Sequence, residues 1–188
     1  MILKPSQVSD VDQLPIKSMV CFMIELENLF QCISEHLLSV GETVSTAEDV
    51  TSGFLQFSFS QMQEACRFFS GGMTAYTFDK KVDLLAIDKD EAKQHNCVSR
   101  QIAETMALEI ASLYGTDWSI GITGYARPIE ESQGRIFAFF AISYQGKIIL
   151  SEKLDLHSRT KFVNAKLYYT EFILHCFKLE LKKLHNSR

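Results

Sequence analysis

The sequence predicts an α/β fold of three layers, a mixed sheet with helices packed on both of its faces. Three observations carry this. Segments of helical period alternate with short extended runs in the order α-β-α-β-α-α-β-β-β-α. Arg135–Tyr144 is apolar on both alternating faces, with Ile136, Ala138, Phe140 and Ile142 on one side and Phe137, Phe139 and Ala141 on the other, as in an interior strand covered above and below. Gln145-Gly146 is a tight turn leading into Lys147–Leu154, so these two strands form a hairpin within the sheet.

Taken in order, Met1–Pro15 has no period, contains Pro5 and Pro15, and reads as an irregular arm. Lys17–Val40 has helical spacing through Met19, Phe22, Met23, Leu26, Leu29, Phe30, Ile33 and Leu37, and Gly41 ends it. A strand at Thr43–Ala47 then runs through Glu48 and Asp49 into Thr51, Ser52 and Gly53, where a helix begins. Such a strand-turn-helix junction leaves free amides at the carboxyl edge of a sheet, where open α/β sheets bind ligands. On these residues alone, Asp49 or Thr51 as a helix cap is the preferred reading. Cys66–Thr77, with Gly71-Gly72 at its centre, is either two extended pieces or one bulged strand. Asp79–Leu85 is a short helix, and Ser99 caps a helix running to Tyr114. Trp118–Thr123 is a strand ending at Gly124, followed by a polar loop in which Arg127 is expected to reach Glu130 or Glu131. Arg159–Leu184 is the last helix, with Phe162, Tyr169, Phe172, Ile173, Cys176 and Leu179 inward.

Hydrophobic residues make up 46% of the chain and charged ones 22%, enough apolar content for a proper core. A net charge of −4 without any block of like charge argues against nucleic acid and anionic membranes as partners. The five cysteines are scattered and odd in number, which fits thiols in a reducing cytoplasm better than disulfides. No CxxC or HExxH pair occurs, so neither a metal nor another cofactor is expected. No signal peptide and no membrane-spanning run is expected either.

Four blocks then carry a likeness: A-E-D-V-T-S-G at Ala47–Gly53, G-G-M-T-A-Y with Lys81 five residues after Tyr76, V-S at Val98-Ser99, and T-G-Y-A-R-P at Thr123–Pro128. In this order and spacing they resemble the CinA C-terminal domain, whose patterns are A-E-S-C-T-G-G, G-G-V-V-A-Y-x-x-x-x-K, V-S and T-G-I-A-G-P. The resemblance implies a domain over residues 27–188, with residues 1–26 as an N-terminal arm and helix extension. It also implies a dimer.

The family includes nicotinamide mononucleotide (NMN) amidohydrolases, which use a serine nucleophile assisted by a tyrosine and a lysine. Carried over one at a time, the nucleophile position falls on Asp49, the tyrosine on Tyr76 and the lysine on Lys81; a threonine falls on Thr123 and an arginine on Arg159. Glu48, Thr51, Ser52, Gly53 and Gly124 complete the ligand-binding set that the resemblance implies. The chain departs from the family at Asp49, Val50, Ser52, Arg127 and Arg135. An acid at position 49 removes the nucleophilic hydroxyl and sets a negative charge against the lysine that would serve as base. Ser52 and Thr51 carry hydroxyls, but their offset from the nucleophile position argues against rescue. The expectation is therefore a catalytically impaired relative that keeps a cleft for a nucleotide-like or anionic small molecule. The alternatives are an active NMN amidohydrolase and an interaction module whose cleft is filled. Asp49 and Lys81 are further expected to face each other as an ion pair.

Overall fold

The computed structural model describes the backbone of residues 16–185 and the side chains of residues 26–184. The arm expected at Met1–Pro15 lies outside the described residues. The elements are α1 (Ile16–Val40), β1 (Val44–Glu48), α2 (Phe54–Ser60), a 3-10 turn (Ala65–Arg67), β2 (Phe69–Thr74), α3 (Phe78–Leu85), α4 (Lys89–Gln94), α5 (Arg100–Tyr114), β3 (Trp118–Tyr125), β4 (Ile136–Tyr144), β5 (Lys147–Leu156) and α6 (Phe162–His185). The order departs from expectation by one element, α4. Asp88 caps it by accepting the amides of Asp90 and Glu91, and with only six residues it is too short to display a period.

The five strands form one mixed sheet in the order β2-β1-β3-β4-β5. β1 pairs in parallel with β2 and β3, while β4 is antiparallel to both β3 and β5. β4 is thus the interior strand its two apolar faces foretold, and Gln145 and Gly146 make its hairpin turn with φ of 47° and 71°. The Cys66–Thr77 stretch resolves as one bulged strand: Val44 pairs with Phe69 and Ser45 with Gly71, which leaves Ser70 as the extra residue.

Alternation along the strands sends Trp118, Ile120, Ile122, Ile136, Ala138, Phe140 and Ile142 to one face. There they meet Leu29, Ile33 and Leu37 of α1, Leu55 and Phe59 of α2, and Tyr169, Ile173 and Phe177 of α6. Each fully buried Leu, Ile or Phe contributes about 1.5–3 kcal/mol. Ala47 faces the opposite layer with Leu85, Ile102, Met106 and Ile110 of α3 and α5. Gly121 lets α5 approach β3: a Cβ there would lie 2.3 Å from the Ala103 carbonyl oxygen and 2.5 Å from the Ala107 nitrogen.

The inward face of α6 differs from the expected one. Phe172 and Leu179 are 46% and 53% exposed, while Phe177 and Leu181 are buried. The core-facing row is Ala165, Tyr169, Ile173 and Phe177, set four apart, so the helix turns its large outer residues away from a face that the hydrophobic count alone had spread too widely. That rotation carries Lys166 inward, which matters for the site.

Candidate functional site

The site forms outside the carboxyl ends of β1 and β3. The helix that follows β1 packs on one face of the sheet and those that precede β3 pack on the other. The two connections diverge there and open a crevice.

At the base of the crevice, β1 ends in Glu48 and the chain turns. Glu48 is fully buried and its carboxylate accepts three amides of its own chain, Gly53 at 3.0 Å, Leu55 at 3.1 Å and Gln56 at 2.8 Å. This is the anchor of the turn and of α2, in place of the cap expected from Asp49 or Thr51. Glu48 and the Gly53 amide, both expected to contact a ligand, are thereby engaged with each other. Gly53 adopts φ 95°, a left-handed conformation natural to glycine.

Asp49 follows and points into the protein. Its Oδ2 accepts the Lys81 ammonium at 2.7 Å and the Thr123 hydroxyl at 2.9 Å. The expected ion pair is present, with side-chain exposures of only 4% for Lys81 and 9% for Asp49. Burial pushes the Asp49 carboxyl above its ordinary value; the Lys81 charge, the hydrogen bonds from Lys81 and Thr123, and the Gly124 amide pull the other way without cancelling it. Thr123 Oγ1 also lies 2.7 Å from the Cys97 carbonyl oxygen, and its single proton serves one acceptor at a time. Thr51 is buried with its hydroxyl unpartnered.

Two hollows flank this pair. One of about 550 Å³ is lined by Asp49, Val50, Tyr76, Gly124, Tyr125, Ala126, Arg127, Ile129, Phe162 and Lys166. The other, about 480 Å³, includes Lys81, Cys97 and Glu131 and shares Tyr76, Tyr125 and Ile129 with the first. Tyr76 is 61% exposed, a cleft residue and not a core one.

Three expectations for cations change. Arg127 does not reach Glu130 or Glu131; its guanidinium lies 3.9 Å from the centre of the Phe162 ring. Arg159 is exposed, its amide donates to His157 Nδ1, and it lines neither hollow. The cation that α6 does bring is Lys166, 8% exposed, with Nζ donating to Ser52 Oγ at 2.7 Å and lying 4.6 Å from the Phe162 ring centre. Burial pushes the Lys166 amine below its ordinary range, Arg127 adds to this, and Asp49 and Glu48 oppose it. Sequence reasoning passed over Lys166, although its place four residues after Phe162 on an amphipathic helix was a usable signal. Among the described residues no group of three His, Cys, Asp or Glu side chains is placed to hold a metal ion.

Comparisons with known proteins agree with the fold. Residues 26–170 match the family described as CinA C-terminal domain. A CinA-like protein of Synechococcus sp. is 37% identical over 109 residues, covering 58% of this chain and 26% of that protein. A putative competence-damage inducible protein of Streptococcus pyogenes is 32% identical over 151 residues, covering 80% of this chain and 34% of the relative. The matched region thus amounts to about a third or less of these curated relatives. Among solved structures, the competence damage-inducible protein A of Klebsiella pneumoniae superposes with a TM-score of 0.77 at 20% identity, covering 84% of this chain and 97% of that one. The competence/damage inducible protein CihA of Agrobacterium tumefaciens gives 0.75 at 23% identity over 84% of this chain and 95% of that one. At such identities the structural likeness speaks for the fold. No described helix is long and apolar enough to cross a membrane.

Proposed function

The chain belongs to the CinA C-terminal domain family, and from that premise we propose that it binds a small anionic, nucleotide-like molecule in the crevice and does not use position 49 for the amide hydrolysis known in the family. The observation that carries this reading is the buried Asp49–Lys81 contact at 2.7 Å. Asp49 stands at the position that the resemblance gives to the nucleophilic serine, and Lys81 at that of its base. The two hold each other, so neither a hydroxyl nor an unengaged amine is available there. Attack by the carboxylate itself would form an anhydride while expelling a poor leaving group.

The crevice suits a ligand. About 550 Å³ is within the usual range for small-molecule sites. Arg127 supplies positive charge over the Phe162 ring, Lys166 adds an amine near the same ring, and Tyr76 offers an exposed ring. Arg127 lies at the crevice without filling it, which favours a binding cleft over an interaction module with a plugged one.

The test is ammonia release from NMN, run beside a serine-bearing relative, with calorimetric titration of NMN and of inorganic phosphate. Binding is expected, with turnover several orders of magnitude below the relative. Turnover equal to the relative's and abolished by Asp49→Ala would make Asp49 catalytic and refute the proposal.

A further inference from the structure

We propose that Ser52 and Lys166 form a second, displaced nucleophile–base pair, able to cleave small apolar carboxylic esters through an acyl-serine intermediate. This goes beyond ligand binding in the crevice and uses neither Asp49 nor Lys81.

Four observations meet at this pair. The Lys166 Nζ to Ser52 Oγ distance is 2.7 Å, so proton transfer between them needs no rearrangement of the main chain. Lys166 is 8% exposed, and none of the four ion pairs among the described residues involves it. Ser52 sits between a strand and a helix with φ 53°, a left-handed conformation that costs a residue with a Cβ about 1–2 kcal/mol. Nucleophilic serines on strand-turn-helix elbows hold this kind of strained posture, which pushes the hydroxyl outward. Finally, Ser52 is exposed and, with Gly53, Phe54 and Phe57, lines an apolar hollow of about 290 Å³, while Lys166 lines the larger cationic crevice. The pair bridges the two, with room for an acyl group on one side and for the alcohol portion on the other.

The chemistry balances with water as the only co-reactant. Neutral Lys166 takes the Ser52 hydroxyl proton as Oγ bonds to the ester carbonyl carbon and the carbonyl π pair moves onto oxygen. The tetrahedral adduct collapses, the C–O bond to the alcohol breaks, and the leaving oxygen takes the proton from the Lys166 ammonium. Neutral Lys166 then takes a proton from water as the water oxygen bonds to the acyl carbon, the bond from that carbon to Ser52 Oγ breaks, and Oγ takes the proton back from the ammonium as the acid leaves. In the resting structure Lys166 donates to Ser52 Oγ, and that hydroxyl donates to the Asp49 carbonyl oxygen at 3.3 Å. Loss of the Lys166 proton lets the hydroxyl turn and donate to the amine. The lowered proton affinity of Lys166 favours this step. The charges that bear on it are Arg127, which helps, and Asp49 and Glu48, which hinder.

The test uses 4-nitrophenyl butyrate and a fluorophosphonate probe on the whole chain. The expected result is probe attached to Ser52 by peptide mass spectrometry, and ester turnover that rises with pH through a midpoint below the ordinary lysine range. Ser52→Gly should lose labelling and at least about 100-fold in turnover. Glycine accepts the left-handed conformation, which offsets the lost hydrogen bond to Lys166, so a melting temperature within a few degrees of wild type is expected and shows that lost activity is not lost fold. Lys166→Arg, which keeps the charge but cannot act as base near neutral pH, should be equally inactive. An unreactive wild type, or Ser52→Gly with unchanged labelling and turnover, overturns the pair. Calorimetric binding of phosphate or NMN that survives Ser52→Gly shows the ligand-binding reading standing independently. Esterase activity without any such binding would refute that reading and leave the pair.

Discussion

Two lysines face the same crevice from opposite layers, and they are buried almost equally, 4% exposed for Lys81 and 8% for Lys166. Each has a polar partner at 2.7 Å. The partner makes the difference. Lys81 meets a carboxylate that also collects a threonine hydroxyl and a backbone amide, so its charge is balanced in place. Lys166 contacts a hydroxyl and the Phe162 ring, with the Arg127 guanidinium nearby; the Asp49 and Glu48 charges oppose the effect of its burial without cancelling it. Burial against a contacting carboxylate holds a lysine's charge, whereas burial against a hydroxyl favours its loss. The first pair is a structural lock and the second a poised contact.

The sharpest way to break this contrast is to remove each lysine in turn. Lys81→Met strands the buried Asp49 carboxylate, and the expected loss is about 3–5 kcal/mol in urea unfolding. Adding Asp49→Asn should recover a good part of it, and a coupling energy near zero in that cycle would mean the pair is geometry without energetic weight. Lys166→Met removes a single hydrogen bond and a buried charge, so the expected change is within about 1 kcal/mol in either direction. Equal losses for the two variants would erase the distinction.

The pH dependence sharpens it further, with opposite signs for the two pairs. Asp49 has a raised folded value, so between the ordinary aspartate value and that raised value the folded chain holds a proton that the unfolded chain has released. Its contribution to stability therefore falls as pH rises through that window, and Asp49→Asn abolishes the slope. Lys166 has a lowered folded value, so between that value and the ordinary lysine value the unfolded chain holds the extra proton. Its contribution rises with pH there. Cys97, Cys176, Tyr125 and Tyr169, all raised by burial, run the other way in the alkaline range. The quantity to measure is thus the difference between wild type and Lys166→Met at each pH. A difference independent of pH would show that Lys166 is not perturbed. The smallest expected effect is that of Ser52→Gly, a change within about 1 kcal/mol in which relief of the left-handed strain is set against the greater freedom of the unfolded chain and the lost hydrogen bond to Lys166.

What the sequence could disclose divides along the same line. The interior strand, its hairpin turn and the Ser99 cap are local patterns, and each was readable. The Asp49–Lys81 pair was readable because two blocks align without a gap. Contacts that depend on how one element is turned against another were not. Lys166 reaches Ser52 across 114 positions, and which face of α6 points inward depends on the packing of Tyr169, Ile173 and Phe177 against the sheet. Arg127 chose the Phe162 ring over acids three and four residues away, a choice made by the arrival of α6 and not by the loop. Glu48 read as a ligand residue because nothing local says that a strand-end acid will fold back over the next helix.

That last residue has a further consequence. A turn that closes around its own carboxylate does not wait for a guest. With Glu48 already seated on the amides of Gly53, Leu55 and Gln56, the loop carrying Asp49 and Ser52 is shaped before anything enters the crevice. Occupancy then has little left to organise there, and the protons on those three amides should exchange with deuterated solvent at the same slow rate whether the crevice is empty or full. In such a scaffold the residues between the anchor and the helix can vary their chemistry while the loop keeps its course, which makes this turn a platform on which reactive groups are exchanged.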